Sequence, residues 1–310
     1  MRLRHRLPAR RRQHGLALIV AMLIAAFAAA VAVSLATGES LWSSRVLHRR
    51  DQVQAQSIAQ AGIQWARQIL DADAQGGSID SLNEPWALPL PATPVENGTV
   101  EGDIVDAQGL FNVNDLASPV HGSAERKRFA QLFASLGLPA SALPPIVAWV
   151  IRQQSAASPP TEVPRPGAPQ ARSPGVTDAL RIQELAEVPG ITLATLAALL
   201  PRATALPLDV PLNVNTAAPE LLAASISNLD GPALAALVEG RRTRPFTSVA
   251  DFRARLPSGA SLGDETLYSV GSRYFLVSVR ARQGETIAQA HALIERSGSG
   301  WPTIVWQTVE

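Results

Sequence analysis

Cysteine is absent from this chain of 310 residues, which excludes disulfide staples, thiolate zinc sites and cysteine nucleophiles without fixing the compartment. Net charge is almost absent too. The formal value is +1, and Arg2, Arg4, Arg6, Arg10, Arg11 and Arg12 all crowd at the N-terminus. The remainder is mildly acidic, so no bulk field marks a polyanion binder. Histidine is sparse and scattered: His5, His14, His48, His121 and His291 show no metal-ligand spacing. Ser297-Gly298-Ser299-Gly300 is a linker, because no apolar strand runs into it as a nucleophile elbow requires. Asp103 and Asp106 flank a strand pattern, where carboxylates face solvent or cap turns rather than form a catalytic pair. No enzyme is expected.

What the chain has instead is an apolar run behind a basic stub. From 16 to 37 no charged residue occurs, and about 20 residues at about 1.5 Å each span a bilayer's hydrocarbon core. The arginines before it should hold the N-terminus in the cytoplasm and send the rest across as a single-pass protein of the inner membrane, its bulk periplasmic. Gly15 stands at the boundary itself. An ordinary secretory signal is cut after its apolar stretch at small residues, and Ala30-Val31-Ala32 or Ser34-Leu35-Ala36 would serve. A cut after Gly15 would instead retain the apolar segment with Leu16 as the new N-terminus. A plain signal anchor is the third option.

No proline interrupts 16–70, so one continuous helix of about 55 residues is expected, about 80 Å long. Its second half carries a stripe (Ile58, Gly62, Trp65, Ala66, Ile69, Leu70) suited to packing on a soluble domain, and Gly76-Gly77 ends it. The proline-rich 83–94 reads as irregular. Strands are expected at 99–107 and 110–113, in a hairpin or meander with turns at Asn97-Gly98 and Gln108-Gly109. Helical patterns follow at 125–137, 142–151, 177–187 and 193–200, then one from Pro219, one from about Pro232 to Arg242, and a third opened by Pro245 to Phe252. The stretch 155–174 is rich in Pro, Ala, Ser and Arg and reads as an exposed loop. Strand alternation returns at 274–279, 286–294 and 304–309. Trp42, Trp65, Trp86 and Trp149 are expected as core or membrane-interface anchors.

The Gly15-Leu16 junction resembles the class III signal of type IV pilins and type II secretion pseudopilins. There a prepilin peptidase cuts after the glycine and methylates the new N-terminus, here Leu16. The fifth position after the cut, usually glutamate, is Val20, a departure typical of the K subunit of type II secretion. Further pieces lie in the same order along the chain. They are 106–114 (Asp-Ala-Gln-Gly-Leu-Phe-Asn-Val-Asn), Glu184-Leu185 to Pro189-Gly190, 212–222 with 241–252, and Ser272 to Phe275. The whole is similar to the general secretion pathway protein K family.

That resemblance implies an α+β fold: a pilin-like long N-terminal helix on an antiparallel sheet, with a large all-helical domain inserted between strands. The implied segments are a basic leader at 1–15, a transmembrane helix at 16–37, and periplasmic helix with first strands at 38–112. A helical insertion of two small subdomains at 113–268 and returning strands at 269–310 complete them. It implies a minor pseudopilin at the tip of the pseudopilus, contributing to its initiation and to protein export. Its partners would be the I and J minor pseudopilins, the prepilin peptidase, and the secretin or exported substrates. Calcium is usual in the family, held by an acidic loop after the second helix of the insertion. Here Trp149 is followed by Val150-Ile151-Arg152, and the next loop offers Glu162 as its acid. Calcium needs six to eight oxygen ligands, so the site is not carried over. If acids elsewhere held the ion, Asp103, Asp115 and Asp178 would be the ones to converge.

The block 213–251 also resembles the helix-hairpin-helix of competence DNA receptors, which makes an exported DNA-uptake protein the alternative. Its hairpin, Ser227-Asn228-Leu229-Asp230-Gly231-Pro232, has one glycine, an acid, and a proline with no N–H to offer a phosphate. Its arginines are balanced by acids. A helical packing module without nucleic acid is the expectation.

Overall fold

The computed structural model describes residues 14–157, 181–298 and 300–310, the side chains of 14–17 and 34–45 excepted. Residues 1–13 of the leader, most of the 155–174 loop with Glu162, and Asp178 therefore lie outside the described residues. The described chain forms two units, residues 1–54 and 55–310.

Helix α1 runs His14–Ala74 and ends just before Gly76-Gly77, as expected. In the first unit its side chains from 18 to 33 are exposed, among them Leu18, Met22, Leu23 and Phe27. Among the described residues no helix is long and apolar enough to cross a membrane. The described side chains of the apolar run stop at 33, short of the roughly 20 residues a span needs.

In the second unit α1 buries Ala55, Ala59, Ile63, Ala66 and Leu70, spaced three and four apart as one helical face requires. Ile58, Gly62, Ala66, Ile69 and Leu70 of the expected stripe belong to this face, and Trp65 does not. Trp65 is 47% exposed, because the contact face is built from small side chains that let helix and sheet approach closely. Gly62 belongs to that approach: a Cβ there would lie 2.6 Å from Val279 Cγ1.

Strands β1 (Leu90–Val95) and β2 (Gly98–Asp106) form an antiparallel hairpin turned at Asn97, φ 57°. The expected irregularity of 83–94 is thus corrected at its end. Pro91 and Pro94 fit in β1 because it is a sheet edge, where a missing N–H costs no ladder bond.

From Phe111 the chain enters the inserted region, with helices α2 (Gly122–Ser135), α3 (Leu143–Ala157), α4 (Leu193–Leu199), α5 (Pro219–Ser225), α6 (Gly231–Thr243) and α7 (Val249–Ala254). It is not purely helical. Two-residue strands staple it: β3 (Phe111–Asn112) with β4 (Ala203–Thr204), β5 (Leu212–Asn213) with β8 (Tyr268–Ser269), and β6 (Ile226–Ser227) with β7 (Ser261–Leu262). The meander expected of 110–113 is therefore wrong, since β3 pairs parallel with β4 and not with β2. The pattern at 177–187 yields a 3-10 turn at Ile182–Glu187. The insertion has its own core, with Phe111 stacked on Phe129 at 4.8 Å and Phe246 edge-on to Phe252 at 4.8 Å. Trp149 is buried there, while Trp86 is buried under the sheet.

Strands β9 (Tyr274–Gln283), β10 (Thr286–Glu295) and β11 (Thr303–Val309) complete one antiparallel sheet in the order β1-β2-β9-β10-β11. The chain leaves this sheet at Asp106 and returns beside it, Asp106 pairing with Phe275. The fold is α+β, a helix on an antiparallel sheet with a mainly helical insertion between neighbouring strands.

Candidate functional site

Where the insertion leaves and rejoins the sheet, the buried residues are polar. Asn213 is fully buried, and its Nδ2 lies 2.9 Å from Asp106 Oδ2, 2.9 Å from Ser272 Oγ and 3.1 Å from the Asp80 carbonyl. Ser272 Oγ donates to Asp106 Oδ2 at 2.6 Å, Thr216 Oγ1 donates to it at 2.5 Å, and Gln108 N–H donates to Oδ1 at 2.8 Å. Burial pushes the Asp106 pKa up to about 6, against the pull of the Ser272, Thr216 and Gln108 hydrogen bonds. It is thus ionised at neutral pH. Asp106 caps a turn, as expected, but it does not face solvent. Asp103, three residues earlier, is exposed.

Beside this node Arg296 forms a two-pronged bridge. Its guanidinium lies 2.6 Å from both Asp80 carboxylate oxygens and 2.5 Å from Asp73 Oδ2, and it donates to the Ser272 carbonyl at 2.8 Å. Its plane also lies 4.7 Å over the Phe275 ring. Gly271 is required here, because a Cβ would come within 2.2 Å of the Ser78 carbonyl oxygen. Asp80 and Arg296 carried no signal in the sequence. Each is an isolated charge in an unremarkable context, and only the fold brings them together. Ser272 and Asn213 lay inside stretches that could be read, without their contacts being readable.

Asp73, Asp80 and Glu84 are the described residues whose carboxylates cluster closely enough for a metal ion. They do not fit calcium. Arg296 already supplies the cation to Asp73 and Asp80, and Glu84 accepts from Ser81 N–H at 3.0 Å and Trp86 Nε1–H at 2.7 Å. Burial raises the pKa of both Asp73 and Glu84. Nor do Asp103 and Asp115 converge. Asp103 is on β2, while Asp115 is in the insertion with its Oδ1 accepting from Asp209 N–H at 2.7 Å.

The hairpin considered for DNA is exposed, but its helix start is already capped. Asp230 Oδ1 caps α6 by accepting from Ala233 N–H at 2.8 Å. Arg241 is buried and donates to the Val214 and Ala217 carbonyls at 2.8 and 2.7 Å, burial lowering its pKa to about 10. Arg242 pairs with Glu239, Arg253 with Glu265, and Arg244 and Arg255 with Asp251. Arg241 is committed to the fold, while Arg242, Arg244 and Arg253 are exposed and balanced by neighbouring acids.

Of the expected processing residues, Gly15 and Leu16 have helical backbone in α1, their side chains outside the described set. Val20 lies on the same helix and is 50% exposed.

Two family models described as "Type II secretion system (T2SS), protein K" match residues 109–208 and 212–271. Type II secretion system protein K of Pseudomonas aeruginosa is 31% identical over 94% of this chain and 91% of its own. The chain belongs to the type II secretion system protein K family. Its counterpart from Pectobacterium carotovorum subsp. carotovorum is 27% identical over 93% of this chain and 94% of its own. A chain from the crystal structure of the GspK-GspI-GspJ complex of enterotoxigenic Escherichia coli shares the fold. There the TM-score is 0.66 at 22% identity, over 86% of this chain and 99% of that one. For a protein K family member, the buried node belongs to architecture: it fastens the insertion to the sheet.

Proposed function

We propose that this chain is a minor pseudopilin at the tip of a type II secretion pseudopilus, where it helps initiate the filament and supports protein export. In this reading it is anchored in the inner membrane by one span at 16–37, with its N-terminus cytoplasmic and its bulk periplasmic. The prepilin peptidase cuts between Gly15 and Leu16 and methylates Leu16. The partners are the I and J minor pseudopilins, met through α1. The observation that carries the reading is the exposed apolar side of α1 directly after Gly15, a surface that needs lipid or other helices to cover it. Val20 supports the tip position. A carboxylate buried among helices is costly unless it meets a partner's amine, and a subunit with nothing above it has no use for one.

Mass analysis of the mature protein tests processing: the expected N-terminus is methylated Leu16, and a start beyond Ala30 would refute it. Quantifying the protein along purified pseudopili tests placement, with shaft-wide abundance as the refuting outcome. The DNA-uptake reading is disfavoured by the paired arginines and the capped α6. Duplex binding that falls steeply with salt, without I and J association, would restore it.

A further inference from the structure

The five-stranded sheet has a second face, turned away from α1. On β9 and β10, Val277, Val279, Ala290 and Ala292 pack in the core that α1 shares. The alternate residues, among them Ser278 and His291, therefore point to the other side. Cross-strand register sets Asp103 of β2 opposite Ser278, and Ser278 opposite His291. The three stand in one row on that face. Directly opposite side chains start about 5 Å apart, so the Cβ atoms of Asp103 and His291 are about 10 Å apart across a short serine. His291 Nδ1 lies 3.3 Å from Ser278 Oγ, which leaves Nε2 as the outer nitrogen of the ring. The charge facing Asp103 is His291: loss of water raises the Asp103 pKa, and His291 pulls it back. A groove of about 360 Å³ opens over the row, with Arg280 and Glu101 beside it. Arg280 is engaged there, 3.7 Å from Glu101.

We propose that Asp103 and His291 bind a divalent transition ion of the zinc class in this groove, with Ser278 setting the imidazole and water completing the coordination. Zinc takes carboxylate oxygen and imidazole nitrogen at about 2.0–2.2 Å, so one ion spans the space that these two side chains leave above the serine. Nδ1–H donating to Ser278 Oγ is the tautomer that frees Nε2 for the ion, and such a partner orients a metal-bound histidine. An imidazole ligand selects against calcium and magnesium, which take oxygen. No spacing along the chain could announce the pair, because the insertion lies between its two halves. Strand β2 is the last of the sheet before the insertion, and β9 and β10 follow it. An ion held here clips the two halves of the sheet together, and a clip that closes a long loop restricts the unfolded chain most. The site requires neither N-terminal processing nor a tip position.

The experiment titrates zinc chloride into the full chain in phosphatidylcholine nanodiscs, with empty discs subtracted, and reads bound zinc and the thermal midpoint together. One zinc per chain is expected to depend on this row, and zinc should raise the midpoint by binding only the folded state. His291→Gln should abolish that binding and that rise. Asp103→Asn keeps the shape of an exposed side chain and should weaken binding at least tenfold. Ser278→Ala leaves both ligands in place and should weaken it about tenfold, as loss of an orienting partner does. His121, which lies 3.8 Å from Asp264 in the insertion, provides the control: His121→Gln should change nothing. Calcium chloride should not displace the zinc. The proposal is overturned if no zinc binds, if calcium competes equally, or if His121→Gln removes the site instead. Zinc retained by the His291 and Asp103 variants would be an adventitious ion only, held by other histidines, and would overturn it too.

Discussion

Two turns in the insertion share one sequence and one local geometry but serve different ends. Phe111-Asn112-Val113-Asn114 follows β3, and Leu212-Asn213-Val214-Asn215 follows β5. In each, the first asparagine's Oδ1 accepts the N–H of the second, at 3.2 Å in one and 3.0 Å in the other. Such side-chain turns are what asparagine does well. In each the valine is buried, and the second asparagine donates to a distant carbonyl, Leu206 or Phe246. The partners of the first asparagine diverge. Asn112 is tied to the Leu206 N–H and the Pro207 carbonyl, neutral groups inside the insertion. Asn213 is tied to Asp80, Asp106 and Ser272, across to the sheet and beside charge. The motif specifies a turn; the surroundings decide whether that turn is a brace or a junction.

The sharpest way to break this contrast is to remove the charge balance at the junction alone. Arg296→Met would leave Asp73 and Asp80 without their cation, and breaking a buried pair this way costs about 3–5 kcal/mol. Urea denaturation should show it as a large fall in midpoint. Next comes Asn213→Ala, which strips a donor from a buried ionised carboxylate. About 3 kcal/mol is expected, since bonds to charged groups weigh more than neutral ones. Asn112→Ala should cost less, about 1–2 kcal/mol, because its partners are neutral. Equal losses for the two asparagines would refute the distinction.

A further test concerns pH. After the first turn stands Asp115, whose pKa burial pushes up to about 7, and beside the second lies Asp106 at about 6. Both exceed the ordinary 3.8, so the folded state binds these protons more tightly than the unfolded chain. Their contribution favours the fold below about pH 4 and is lost as pH rises through 6 and 7. Asp115→Asn keeps the oxygen that accepts from Asp209 N–H and removes the later part of that loss. Stability measured at pH 5 and pH 8 should therefore differ less in the variant. An unchanged difference would show that Asp115 does not titrate there.

Much of the architecture was legible. The helical periods from Glu125 onward and the alternation after Tyr274 are local signals. What escaped was decided by tertiary contact. The sheet-facing stripe of α1 also relies on Ala55 and Ala59, which a reading weighted towards large apolar residues passes over while admitting the exposed Trp65. Strand β1 hid behind Pro91 and Pro94, which rule out an interior strand but not an edge. At the site the asparagine motifs were visible, while the charges that give Asn213 its role arrive from residues 80 and 296, with no local pattern to announce them.

The pairing of β2 with β9 also sets an order of events. Asp106 and Phe275 are neighbours in the sheet yet about 170 residues apart along the chain, and contacts of such separation form late because the intervening loop must first be closed. A chain emerging N-terminus first presents β1 and β2 as an isolated hairpin, too small to be stable alone, until the insertion has been made. The insertion holds its own aromatic core and can condense while it waits, bringing the two cut ends of the sheet together as it does so.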